Sequence, residues 1–371
     1  MIVERTDVAA RPTGPSAVAL VSESRERDGH QRQFDVYCRG LDAVGLPYSV
    51  YQCVDPSLRT EFSNRGTIVP GIRIPGSPTW EMGTNRLFQV YPRRLRGIPE
   101  RVVHVNDAFL APLIRFRDDV VVSLADLSKM TTDYFPRASV WLHNRSLRRI
   151  RQARAIICHT EYVRQEILTH LPVTESQVRV VPLRSLIPTL TTDRPQFGSP
   201  TIQAPWTMLY IAGDRPRKNI PLFLEILRRL DDRYRGLLVS RLRPSTQLLI
   251  SKMGLGSRLQ VQSWVPDLEP IYRSAHILVH TAPYEGFGIP LAEAMSQGLP
   301  VVAANATSIP EVVGNGGLLV GPNELTAWCE AIERLSDPGY YSGVSRNALA
   351  QAERVSFSNI GTRLREAYGL G

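Results

Sequence analysis

Two successive runs of alternating strand and helix signals constrain this chain more than any other feature. The first opens with a short apolar strand at Ala17–Val21 and a polar loop, SESRERDGHQRQ, leading into a helix through about Val44. Phe34, Tyr37, Cys38 and Leu41 recur there at helical spacing. Strands follow at Tyr48–Val54, Arg101–Val105, Val120–Leu124, Ala155–Cys158 and Val178–Val181. A Pro-, Thr- and Arg-containing stretch, 184–206, reads as a linker, and the alternation then restarts. Its strands are Met208–Ala212, Leu237–Ser240, Leu259–Gln262, Ile277–His280 and Val301–Ala304. Helices fall at Pro221–Leu230, at 245–253 and just after Asp267, and others near 323–336 and 340–369 finish the chain. Such alternation predicts an α/β fold with parallel sheets, and 371 residues suit about two domains. Residues 64–100, rich in Gly, Pro and Arg, give no clear element.

One stretch carries chemistry: HTAPYEGFGIPLAEAMSQGLP, residues 280–300. It reads as strand, glycine loop and helix. Gly286 and Gly288 allow a tight turn around Phe287, Pro290 suits a first helical turn, and Gly298 marks a helix stop. Free amides and the positive end of the helix dipole make this loop an anion site. Glu285 precedes the loop and Glu293 lies one turn inside the helix, where a carboxylate can accept hydrogen bonds from a vicinal diol. The plain alternative is an ordinary strand-to-helix turn with two surface glutamates.

Composition limits the function classes. No run of 18 apolar residues occurs, so no spanning helix is expected, and the charged N-terminus lacks the apolar core of a signal peptide. The net charge is +9, and of 44 basic residues only Lys129, Lys218 and Lys252 are lysine. A basic surface is compatible with anionic substrates or peripheral contact with an anionic membrane. A helix over 142–157 with Arg145, Arg148 and Arg149 on one face is the candidate contact, and a solvated face is the plainer reading. No nucleic-acid motif appears, so no nucleic-acid partner is expected. Cys38, Cys53, Cys158 and Cys329 form no CxxC pair and read as free thiols.

The string from Glu285 to Glu293, with its glycines and Pro290, continues as AMSQGLPVVAANATSIPEVVGNGGLLVGP and resembles glycosyltransferase family 4. That resemblance implies the GT-B fold: two facing doubly wound Rossmann-like domains, with a C-terminal helix returning to the first. The boundaries are 1–184 for an acceptor-binding domain, rejoined by about 355–371, and 185–354 for a donor-binding domain. It also implies transfer of a sugar, with retention, from a nucleotide-sugar donor to a carbohydrate or lipid-linked acceptor. Glu285 would contact the donor sugar and Glu293 the ribose diol, while Gly286 and the amides of Phe287, Gly288 and Ile289 would hold sugar and phosphate oxygens. Lys218, in the loop GDRPRKN, resembles the lysine that contacts the donor diphosphate. No Asp-x-Asp motif is present, so no essential metal or other cofactor is expected, and the setting expected is cytoplasmic, including the inner membrane surface.

Two departures qualify the resemblance. The family often carries an arginine five residues before this lysine, where Gly213 stands, and a histidine where Ala125 precedes Asp126. Asp126 remains as a catalytic candidate, although an aspartate capping a turn is the plainer reading for it and for Asp107. Arg215, restrained by Pro216, is the expected substitute cation, and Arg217 would point to the opposite side if the segment were extended. Trp264-Val265 would border the base, with an ordinary core tryptophan as the alternative, and His30 would lie at a ligand-binding strand end, where a solvated loop histidine is the plainer reading. Ser308 and Glu311 have capping-box spacing. The rivals are a glycoside hydrolase using Glu285 and Glu293, a GT-B binding protein with impaired catalysis, and nucleic-acid binding through the basic surface.

Overall fold

The alternation resolves into two sheets in the computed structural model, which describes residues 17–23, 29–54, 66–71, 85–195, 197–263, 265 and 267–370. The strands are β1 (Val18–Glu23), β2 (Tyr48–Val54), β3 (Thr67–Pro70), β4 (Val102–Val105), β5 (Val120–Ser123), β6 (Ala155–Cys158), β7 (Val178–Val180), β8 (Trp206–Ile211), β9 (Tyr234–Val239), β10 (Leu259–Gln262), β11 (Ile277–His280), β12 (Val301–Ala304) and β13 (Gly317–Val320). The helices used below are α1 (Gly29–Ala43), α2 (Arg137–Ser146), α3 (Glu161–His170), α4 (Ile220–Arg229), α5 (Glu269–Ser274), α6 (Ile289–Ser296), α7 (Ile309–Val313) and α8 (Phe357–Ala367).

The first sheet has the order β3-β2-β1-β4-β5-β6-β7 and the second β10-β9-β8-β11-β12-β13. Pairings from β1 to β5 and from β8 to β13 are parallel. Each order reverses once, between β1 and β4 and between β8 and β11, which is the doubly wound arrangement. β1, β4, β5, β6, β11 and β12 are buried along their whole length, as strands covered on both faces must be.

The described residues divide into two compact units. Unit 1 holds those up to Ser123, Leu142–Ile156 and those from Gly361 on; unit 2 holds Leu124–Trp141 and Ile157–Ile360. In unit 1 a buried polar chain crosses the interior. Gln33 donates to the Tyr37 hydroxyl at 2.8 Å, Tyr37 meets Ser123 Oγ at 2.8 Å, and His104 bridges Ser123 Oγ at 2.7 Å and Tyr368 Oη at 2.8 Å. Tyr368 follows α8, so the C-terminal helix returns to the first unit as expected. The core of unit 2 lies on both sides of its sheet. α4 contributes Ile220, Phe223, Leu224, Ile226 and Leu227, one helical stripe; truncating Phe223 to alanine costs about 3–5 kcal/mol.

Several expectations need correction. The basic helix is Arg137–Ser146, not 142–157: Pro136 starts it, its carbonyl accepting from Val140, and a 3-10 turn at Ile150–Gln152 follows. Arg148 and Arg149 therefore lie beyond the helix, and the shared arginine face is lost. Ser308 and Glu311 make no capping box, because Ser308 Oγ donates to the Glu285 carbonyl and the Glu311 carboxylate accepts from Glu161 and Tyr162 amides. The last predicted helix is two, Pro338–Ala352 and α8, and β13 had no counterpart in the reading. None of the four cysteines is in a disulfide among the described residues. Among the described residues no helix is long and apolar enough to cross a membrane.

Candidate donor site

Two of the candidate side chains, Lys218 and Glu285, meet at the reversal of the second sheet. The loop after β8 carries Lys218, and the loop after its neighbour β11 carries Glu285. Loops leaving adjacent strands toward opposite faces open a crevice, which is why ligands gather there.

The Lys218 loop is tied at both ends. Asp214 accepts from the Arg243 amide at 2.7 Å and its guanidinium at 3.0 Å. Thr281 Oγ1 donates to the Asn219 carbonyl at 2.8 Å, and Tyr210 donates to the Lys218 carbonyl. Between these anchors Pro216–Lys218 forms a 3-10 turn ending at Asn219, which is left-handed at φ 53°. That turn corrects the expected geometry of the two arginines. Alternation of side chains requires an extended chain, and only Arg215 is extended (φ −129°, ψ 148°). Arg215 is exposed, whereas Arg217 turns inward, its Nη1 lying 3.8 Å from Glu285 Oε2 and 4.0 Å from Asp126 Oδ2.

Glu285 is buried, and Lys218 Nζ donates to its Oε1. His280, the last residue of β11, meets the same oxygen through Nε2 at 3.0 Å. Burial works to raise the Glu285 carboxyl, but Lys218, His280 and Arg217 together outweigh it and hold the group far below the usual carboxylate range. Burial likewise pulls the Lys218 ammonium down, against the pull of Glu285. The backbone is fixed as well: the Glu285 amide donates to Thr307 Oγ1 at 3.1 Å, and its carbonyl accepts from Ser308 Oγ at 2.7 Å.

The glycine loop has the geometry its sequence requires. A Cβ on Gly286 would drive into the Ala125 carbonyl oxygen, so only glycine fits. Gly288 is left-handed (φ 85°) and is the N-cap residue of α6. The amides of Phe287, Gly288 and Ile289 stand before any turn that could accept them. Thr160 Oγ1 donates to the Gly286 carbonyl at 3.0 Å, and Tyr284 donates to Glu166 Oε2 at 2.5 Å, so α3 grips the loop from one side.

Of the remaining candidates, Asp126 borders this cluster through Arg217 and the others are dispersed. Asp126 accepts from the Ser128 amide at 3.0 Å, a turn cap, while its other oxygen faces Arg217. Asp107 caps a turn by accepting from the Phe109 amide. Glu293 is fully buried and accepts from Tyr272 Oη at 2.8 Å, so a diol reaches it only if the surrounding α5–α6 packing yields. Val265 is half-buried against the core, and Trp264 and the His30 side chain lie outside the described residues. Among the described residues no group of three His, Cys, Asp or Glu has metal-binding geometry. The sequence reading gave His280, Thr160 and Thr307 no part in the site, and Ser308 only a local capping role. Only His280 gave a signal, a histidine ending an otherwise apolar strand.

Comparisons with known proteins identify the family and the fold. Residues 27–183 match the model of Glycosyltransferase Family 4, and residues 206–337 match that of Glycosyl transferases group 1. O-antigen chain mannosyltransferase B of Escherichia coli is 30% identical over 305 residues, which is 76% of this chain and 78% of that protein. Sucrose-phosphate synthase of Thermosynechococcus elongatus superposes with a TM-score of 0.72 at 17% identity, covering 96% of this chain and 98% of its own. Anabaena Alr3699/HepE, solved in complex with UDP and glucose, gives 0.70 at 17% identity, covering 95% and 99%.

Proposed function

The chain belongs to glycosyltransferase family 4 and has the GT-B fold, and from that premise we propose that it transfers a hexosyl group, mannosyl in the first instance, from a nucleoside diphosphate sugar to a growing glycan, with retention of the anomer. The observation that carries the reading is Glu285, ionised and buried among Lys218, His280 and Arg217 beside the amides that open α6. A mannosyl donor and a glycan acceptor are favoured by the name of the Escherichia coli relative.

In this reading Glu285 meets the donor sugar, and Lys218 and Arg217 meet the departing diphosphate. Their two positive charges stand against two carboxylates, Glu285 and Asp126, so the loop amides and the α6 dipole supply the net attraction for an anion. Charge that develops on the leaving group is thus met by groups already in place, the most effective form of transition-state stabilisation. The cation expected five residues before Lys218 is absent at Gly213, and Arg217 compensates from within the turn. No metal is assigned a role. Contact with an anionic membrane keeps only the +9 charge in its support. A hydrolase would need Glu285 and Glu293 at one bond, and the burial of Glu293 against Tyr272 speaks against it.

The test is incubation of the purified chain with nucleoside diphosphate hexoses, GDP-mannose among them, and oligosaccharide acceptors, with the first product anomer read by NMR. Transfer with retention, undiminished by chelator, is expected. An inverted first product, or hydrolysis with no dependence on the nucleotide, refutes the reading.

A further inference from the structure

His280 is buried, 1% exposed, on a strand paired on both sides, and it enters the proposed transfer only as a neighbour of Glu285. Its one side-chain hydrogen bond among the described residues goes to Glu285 Oε1. An ionised carboxylate only accepts, so Nε2 carries the proton. Lys218 takes the same oxygen. Oε1 thus receives both donors and Oε2 receives none, its nearest cation being Arg217 Nη1 at 3.8 Å. The arrangement is one-sided: one carboxylate oxygen is saturated and the other is kept for something else.

We propose that His280 is a positioning residue that pins Oε1 of Glu285 so that Oε2 alone is presented to a hydroxyl of the donor sugar. The terminal torsion of a glutamate is broad, and the ammonium of lysine rides on a flexible four-carbon stem. Lys218 by itself therefore does not fix the plane of the carboxylate. An imidazole at the end of β11, whose backbone is in register with Ala303 of β12, does. A second anchor acts on the backbone of Glu285 through Thr307 and Ser308, so these hydroxyls hold its main chain while His280 holds its carboxylate. Since a hydroxyl bonded to a positioned carboxylate is a strong basis for sugar choice, the imidazole acts on the sugar end of the donor and leaves the nucleotide end alone. The inference rests on the transferase reading for its substrate, but the state of the ring does not.

The experiment has two arms. Long-range 15N–1H correlation spectra of the full chain report the His280 tautomer without any substrate. An Nε2–H ring that shifts in Glu285→Ala is expected, and an Nδ1–H ring overturns the proposal. In the second arm, His280→Leu removes the donor and His280→Gln retains an N–H at similar reach. For a lost hydrogen bond to a charged group the expected fall in kcat for His280→Leu is about ten- to hundredfold. Affinity for the bare nucleoside diphosphate should stay unchanged, and His280→Gln should recover most of the turnover. A wild-type kcat in His280→Leu refutes the role. So does equal impairment of both variants together with lost nucleotide binding, which marks a purely architectural histidine. If the unaltered protein transfers no sugar, the transferase reading fails, and the ring spectra still decide for or against the pinning of Glu285.

Discussion

At the scale of single residues, the site turns on which arginine joins Lys218. The 3-10 turn brings Arg217 toward Glu285 and Asp126 and leaves Arg215 exposed. Losing a cation that stabilises developing charge costs about 2.7–4 kcal/mol, a hundred- to thousandfold in rate. Arg217→Ala should therefore slow transfer by that order, and Arg215→Ala by less than about tenfold. Turnover measured for both variants, with melting temperatures to confirm folding, decides the ranking; the opposite order returns the role to Arg215. The identities of these residues were legible in the sequence. The direction of their side chains was not, because it depends on one turn whose backbone is set by partners distant in the chain, Asp214 with Arg243 and Thr281 with Asn219.

At the scale of elements, the strands were the most readable parts, since uniformly buried apolar runs such as β6, β11 and β12 have few alternatives. Helix ends were less readable. Ser308 and Glu311 have the right spacing for a local cap, yet tertiary partners took both side chains, a competition invisible in local sequence. One element junction carries a pH dependence. His276, just before β11, accepts the Thr207 amide through Nδ1 at 3.0 Å and stacks on Trp206. Burial, aided by the nearby Arg194 charge, lowers its pKa from 6.5 to about 4. Between those values the unfolded chain binds a proton that the folded chain does not, so stability falls as pH drops from about 6.5 to 4 and levels off below. The loss is on the order of 1–3 kcal/mol, allowing for partial solvent screening. Melting curves across this window should show it, and His276→Asn, which keeps an acceptor but does not titrate, should flatten the dependence. An unchanged slope would assign the acid sensitivity to other groups.

At the scale of the whole molecule, two α/β units with parallel sheets followed from the alternation, while their doubly wound order and the return of the C-terminal helix came from family resemblance. No periodicity in the sequence links Tyr368 to His104, because that contact is one buried hydrogen bond and an edge-on ring contact between distant segments. Tyr368→Phe removes a hydroxyl from a fully buried chain and leaves His104 Nδ1 without that partner, which should cost about 1–3 kcal/mol. Denaturant titration of the variant against wild type tests this, and a change below about 0.5 kcal/mol would show that the chain from Gln33 to Tyr368 is replaceable by packing. The same feature bears on the order of assembly during synthesis. Unit 1 begins with β1 but is completed by residues from Gly361 on, which leave the ribosome only after the whole of unit 2. The first unit to emerge is thus the last that can close, and until then His104 waits for a partner still being made, while unit 2 has all its parts.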